Sequence, residues 1–206
     1  FLANYYPAYI TPPKKTLSNQ DFSFEIQTKE AEAYFQLLDK KISGFNNSSL
    51  SGHLDLAGSA LEVKANVPYF GYDGKTFTNT ILNGNGNRDT LTTSISVDDI
   101  AINDSLHFPA TSLQLISNND LSDIKLRSSV GNTLNQAELN ANVKTYSDGV
   151  KIHFFPSSFM VNNQKWLIEK DGELTFRKNL LDANEIKLVH DNQRVSFSTE
   201  MDDITD

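Results

Sequence analysis

In a chain of 206 residues without cysteine, histidine, serine and carboxylate side chains are left to do nucleophilic, acid–base or metal chemistry. The four histidines, His53, His107, His153 and His190, are scattered. His153 alternates with Ile152 and Phe154, so a strand would turn it to solvent. There is no Gly-x-Ser-x-Gly elbow, no His-Glu-x-x-His and no phosphate-binding glycine loop ending in Lys-Ser/Thr. Asp98-Asp99, Asp120 with Asp123, and Asp202-Asp203 fall at expected strand ends and turns. Paired catalytic carboxylates would need a pocket that sets their proton affinities apart. Asn83-Gly84-Asn85-Gly86-Asn87-Arg88-Asp89 has the look of a calcium loop. It carries one carboxylate where such loops use several, and it lies where a hairpin must turn. Asn46-Asn47-Ser48 and Asn103-Asp104-Ser105 match the N-glycosylation pattern, as chance allows in so Asn- and Ser-rich a chain. The chain reads as non-enzymatic, with no catalytic residue, metal ligand or cofactor assigned.

The elements around these residues are organised by 107–155, which holds two rounds of one pattern. Phe108, Leu113 and Leu115 precede the turn Ser117-Asn118-Asn119-Asp120, and Ile124 and Leu126 return. Leu134, Leu139 and Ala141 precede the turn Tyr146-Ser147-Asp148-Gly149, and Val150, Ile152 and Phe154 return. Gln114, Lys125, Arg127, Asn140, Lys151 and His153 sit between them, so each strand has one apolar and one polar face. The spacing of an aromatic or Leu, a Leu or Ile five later and a small or apolar residue seven later recurs at Phe77, Leu82, Gly84 and at Leu181, Ile186, Leu188, whose returning strand holds Val195 and Phe197. An extra hairpin contains Phe159 and Val161, turns at Asn162-Asn163, and returns through Trp166 and Ile168 to Leu174 and Phe176. An irregular repeat of hairpins, each with an uncovered apolar face, predicts a mainly β, elongated and curled antiparallel sheet.

Ahead of the repeats, residues 1–20 mix prolines and aromatics without periodicity and read as an extended lead-in. Phe22, Phe24 and Ile26 alternate as a short strand. A helix is expected over 29–42, with Thr28 as N-cap, Glu30 and Glu32 in the first turn, and Gly44 ending it. Its stripe of Ala31, Tyr34, Phe35, Leu38 and Ile42 is expected to pack into the core. Residues 21–200 form one repetitive β domain and 201–206 a tail. The chain begins at Phe1-Leu2-Ala3-Asn4 and reads as a segment of a longer protein.

The formal charge of −8 and the lack of a basic stripe argue against nucleic acid. Apolar content of 38% suits strands with one solvated face. Absence of cysteine excludes disulfide frameworks and thiolate zinc sites. No run of about 18 apolar residues could span a bilayer as a helix.

The segments Asp148-Gly149-Val150-Lys151-Ile152-His153-Phe154-Phe155-Pro156-Ser157-Ser158-Phe159, Asn163-Gln164-Lys165-Trp166 and Lys170-Asp171-Gly172-Glu173-Leu174 carry a family resemblance. So do Asn135-Gln136-Ala137-Glu138-Leu139-Asn140-Ala141 and Ile102-Asn103-Asp104-Ser105-Leu106-His107-Phe108-Pro109. From about Phe22 to Glu200 the chain resembles a central piece of the large translocation and assembly module proteins (TamB) of Bacteroidota, within the AsmA-like group. The resemblance implies a periplasmic segment of an inner-membrane-anchored protein. It implies a long apolar β-groove, the "β-taco", that moves phospholipid between the inner and outer membranes. It also implies help in assembling outer-membrane barrel proteins with a partner barrel, bound through regions outside this segment. The groove lining would then be Leu113, Leu115, Ile124, Leu126, Leu139, Val150, Ile152, Phe154, Ile186, Leu188, Val195 and Phe197, in contact with phospholipid acyl chains. An ordinary packed β-core, closed in part by the 29–42 helix, would use the same residues.

Overall fold

The computed structural model describes residues 2–12, 14, 19–104, 106–129, 134–161, 164–169, 172–178 and 180–199. It is one open antiparallel sheet of sixteen strands with two short helices. Helix α1, Leu2–Tyr5, comes first, then β1, Asp21–Gln27, and α2, Glu32–Leu38. Next are β2, Ile42–Gly44; β3, Ser49–Asp55; β4, Ala60–Tyr72; β5, Lys75–Gly86; β6, Leu91–Asn103; and β7, Leu106–Asn118. They are followed by β8, Leu121–Ser129; β9, Leu134–Tyr146; β10, Gly149–Phe154; β11, Ser157–Val161; and β12, Gln164–Ile168. The last four are β13, Glu173–Arg177; β14, Leu180–Asn184; β15, Ile186–His190; and β16, Gln193–Phe197. From β3 to β9 each strand pairs with its sequence neighbours, as turn-rich hairpins dictate.

Beyond β9 the sheet forks. The first half of β9 pairs with β11 and the second with β10. One branch runs β10, β13, β14, the other β11, β12, β15, β16. At the fork Phe155 and Pro156 interrupt a strand that would otherwise run from Gly149 to Val161. The Phe155 N–H still donates to the Asn140 carbonyl at 2.9 Å, and the Ser157 hydroxyl accepts the Asn140 N–H at 2.8 Å.

A second irregular line crosses the long strands. Asn79 and Ala110 are left-handed, at φ 49 and 44, each two residues after the aromatic of its repeat. The ladders lapse at Pro68 opposite Asn79 and at Asp98 opposite Ala110, and the Asn79 amide donates to Asp98 at 2.8 Å. The five-residue spacing from Phe77 to Leu82, and from Phe108 to Leu113, is odd. In an unbroken strand it would put the two side chains on opposite faces. The left-handed residue interrupts the alternation in just that interval.

The helix expected over 29–42 is shorter and is not a core element. Thr28 does not cap it. Its hydroxyl donates to the Phe45 carbonyl and accepts the Ser48 N–H. The cap is Asn46, whose Oδ1 accepts the Ala31 and Glu32 N–H groups at 2.6 and 3.1 Å. Ile42 and Gly44 belong to β2, opposite Tyr72 and Phe70, a ladder a longer helix would forfeit. Of the expected stripe Ala31 is buried and Phe35 stacks on Phe45 at 4.6 Å, in a column that continues to Phe70 and Phe77. Tyr34 and Leu38 are 73% and 81% exposed. The lead-in differs too. Its first residues form α1 and pack on the sheet, with Tyr5 buried. The expected turn at Asn162-Asn163 and the tail 201–206 lie outside the described residues.

Candidate functional site

In an antiparallel sheet, residues paired directly across strands share a face. The register links the lining residues expected from sequence into rows that cross the sheet. The first row runs Ile26, Leu50, Ala65, Leu82, Ile95, Leu113, Leu126, Leu139, from β1 to β9. The second runs Phe24, Gly52, Val63, Gly84, Thr93, Leu115, Ile124, Ala141, Phe154. The third runs Phe22, Leu54, Leu61, Gly86, Leu91, Ser117, Ser122, Val143, Ile152 and on to Leu174. None of these positions carries a charge. Val150 stands opposite Phe176 in the β10 branch. In the β11 branch Leu188 links Ile168 to Val195, and Ile186 faces Phe197.

The fold therefore assembles Leu113, Leu115, Ile124, Leu126, Leu139, Ile152 and Phe154 into one continuous surface. Val150 extends it along β10. Ile186, Leu188, Val195 and Phe197 form the end of the β11 branch. Sequence reasoning left out the β1–β6 half of the rows: Ile26, Leu50, Leu82, Ile95, Val63, Leu61 and Leu91. The same period-two alternation marks them, so the signal was present.

Apart from the N-terminal segment around Tyr5, no second layer covers this face among the described residues. Its leucines and isoleucines are half-buried from β4 onward, with Ile26 and Leu50 exposed, and the buried apolar side chains among the described residues are Tyr5, Ala31, Val97, Ala141 and Phe154. The solvent-accessible area is 13798 Å². A compact monomer of this mass would expose about 9,600 Å². A sheet with no full second layer contributes to that excess.

The other face is polar and laced with ion pairs. Lys151 meets Glu173 at 2.7 Å, and that carboxylate holds the ammonium above the ordinary lysine range. Hydrogen bonds from Asn140 and then Arg127 draw the Glu138 carboxyl below its usual range. Arg177 binds Asp148 at 2.8 Å and lies over the Tyr146 ring. His153 lies on this face as expected, with Nδ1 3.5 Å from Glu173 and its ring edge-on to Phe155. His53 pairs with Asp21 at 2.7 Å and His107 with Asp99 at 2.9 Å. Among the described residues no three acidic or histidine side chains converge to hold a metal. Asn83–Gly86 close β5 and Asn87 turns the hairpin, its Oδ1 accepting the Asp89 and Thr90 N–H groups. These histidines and carboxylates are thus held in surface pairs, which contribute little to stability.

Comparison with protein-family models, curated proteins and solved structures found no match to this chain.

Proposed function

We propose that this chain is a non-enzymatic segment of a periplasm-spanning envelope protein, and that its apolar sheet face carries phospholipid between the inner and outer membranes. The observation that carries the reading is the set of uncharged rows on a face with no full second layer. At about 4.8 Å per strand, the eight positions of the first row extend about 34 Å. One leaflet of a bilayer core is about 15 Å thick, so an extended acyl chain fits along a row with room to spare. Each buried CH₂ contributes about 0.8 kcal/mol, which holds a tail without a specific polar contact and lets it slide. The resemblance to the translocation and assembly module family gives such a surface a place in the cell envelope.

The test is mass spectrometry of an organic extract of the purified protein, for wild type and for Ile152→Asp. Phospholipid is expected in the first and lost from the second, with far-UV circular dichroism retained. A lipid-free wild-type preparation would defeat the reading.

A second reading draws on the edges. β1 and β16 are exposed along their whole length and bound the open sheet, so each offers unpaired backbone groups to another strand. A scaffold or chaperone segment that assists outer-membrane barrel assembly or secretion would use them. Binding of an unfolded barrel protein by lipid-free preparations would favour it.

A further inference from the structure

In the third row Gly86 stands between Leu61 and Leu91, and Ser117 lies opposite Ser122. These small residues remove volume from the apolar face and leave two hydroxyls on it. Residues 2–8 fill the notch. Tyr5 is 0% exposed, and its ring stands where a Cβ on Gly86 would be. The Tyr5 hydroxyl donates to the Asn87 carbonyl, and the Tyr6 hydroxyl donates to Ser117 Oγ at 2.7 Å. The Asp120 carboxylate accepts the Ala8 N–H at 2.9 Å. The Asp120 and Asn119 N–H groups donate to the Tyr5 and Asn4 carbonyls at 2.7 and 3.2 Å. Asn4 Nδ2 donates to the Arg88 carbonyl at 2.7 Å.

The segment is therefore tied to two hairpin turns, β5–β6 and β7–β8, on the apolar side of the sheet. Its attachment is one buried ring and six hydrogen bonds, each of modest net value because water replaces it on release. A four-residue helix has no stability of its own. Such an attachment is strong enough to order the segment and weak enough to be displaced.

We propose that residues 2–8 are a displaceable strap that closes the β5–β8 stretch of the apolar face against ligand. Docked, the strap covers Gly86 and bonds to Ser117. Released, it opens the notch and uncovers the Gly86–Ser117 part of the third row. The inference rests on the groove reading above. Its test uses the full chain and N-phenyl-1-naphthylamine, a dye that brightens on apolar surfaces. Asp120→Ala and Tyr5→Ala unlatch the strap. Asn4→Cys with Arg88→Cys, joined by a short bis-maleimide, locks it, and no native thiol competes. The unlatched variants are expected to bind the dye about five-fold more tightly, the weight of one hydrogen bond, and the locked protein no more tightly than wild type. Equal affinity in unlatched, locked and wild-type protein overturns the strap and leaves the groove reading standing. No dye binding by any of them overturns both. If Asp120→Ala loses its far-UV circular dichroism, Tyr5→Ala against the locked protein carries the comparison.

Discussion

Tyr5 shows how one side chain can report on a surface. Its burial, and secondarily the charge of Asp89, push its phenol above the ordinary tyrosine value of 10.0. A raised phenol means the docked state prefers the neutral ring. That preference stabilises docking fully below the unfolded value and is lost as pH rises through the raised one. Tyrosinate absorbance, followed with strap mobility by a spin label at Ala8→Cys, should show ionisation and release together at alkaline pH. Asp89→Asn should move both to lower pH, though less than full exposure of the ring would. A strap that stays immobile after Tyr5 ionises would refute the linkage. Ala110 makes a second residue-scale case. An L-residue in the left-handed region costs about 1–2 kcal/mol, so Ala110→Gly should raise stability to urea by about 1 kcal/mol at unchanged m-value.

At the scale of elements, α2 owes its start to a loop that follows it in sequence. Asn46 accepts both leading N–H groups, so Asn46→Ala should cost about 1 kcal/mol in chemical denaturation. Thr28→Val would leave those two cap bonds intact. The stripe at 31–42 shows where periodicity stops being informative. A 3.6-residue spacing of apolar side chains is satisfied equally by a buried helix and by one lying at a sheet border with Tyr34 and Leu38 in water. The strands were easier to read. Alternation at 113–115, 124–126 and 150–154 maps directly onto β7, β8 and β10, because a side chain in a strand has only two directions to take. The fork after β9 was not legible. It depends on Phe155 and Pro156 bulging opposite Asn140, which no alternation pattern encodes.

For the whole molecule, the dominant fact is that, among the described residues, only the N-terminal segment lies over the rows. With most of its apolar face uncovered the protein should scatter as an elongated particle. Small-angle X-ray scattering should give a radius of gyration well above the roughly 17 Å of a compact domain of this length. A value near that figure would mean the sheet folds over on itself in solution. Because each strand leans chiefly on its neighbours, opening should begin at β1 and β16, where whole strands are exposed.

The sequence by itself determined which side chains are apolar-facing and where the hairpins turn. These follow from period-two alternation and turn chemistry, which are local. Only the tertiary structure decided that the rows join from β1 to β9, that the five-residue spacings from Phe77 and Phe108 straddle left-handed bends, and that residues 2–8 return to the notch at Gly86 and Ser117. Those outcomes hang on register and on contacts between Tyr5 or Tyr6 and residues more than 80 positions away, and a pattern read along the chain carries no information about what meets across it.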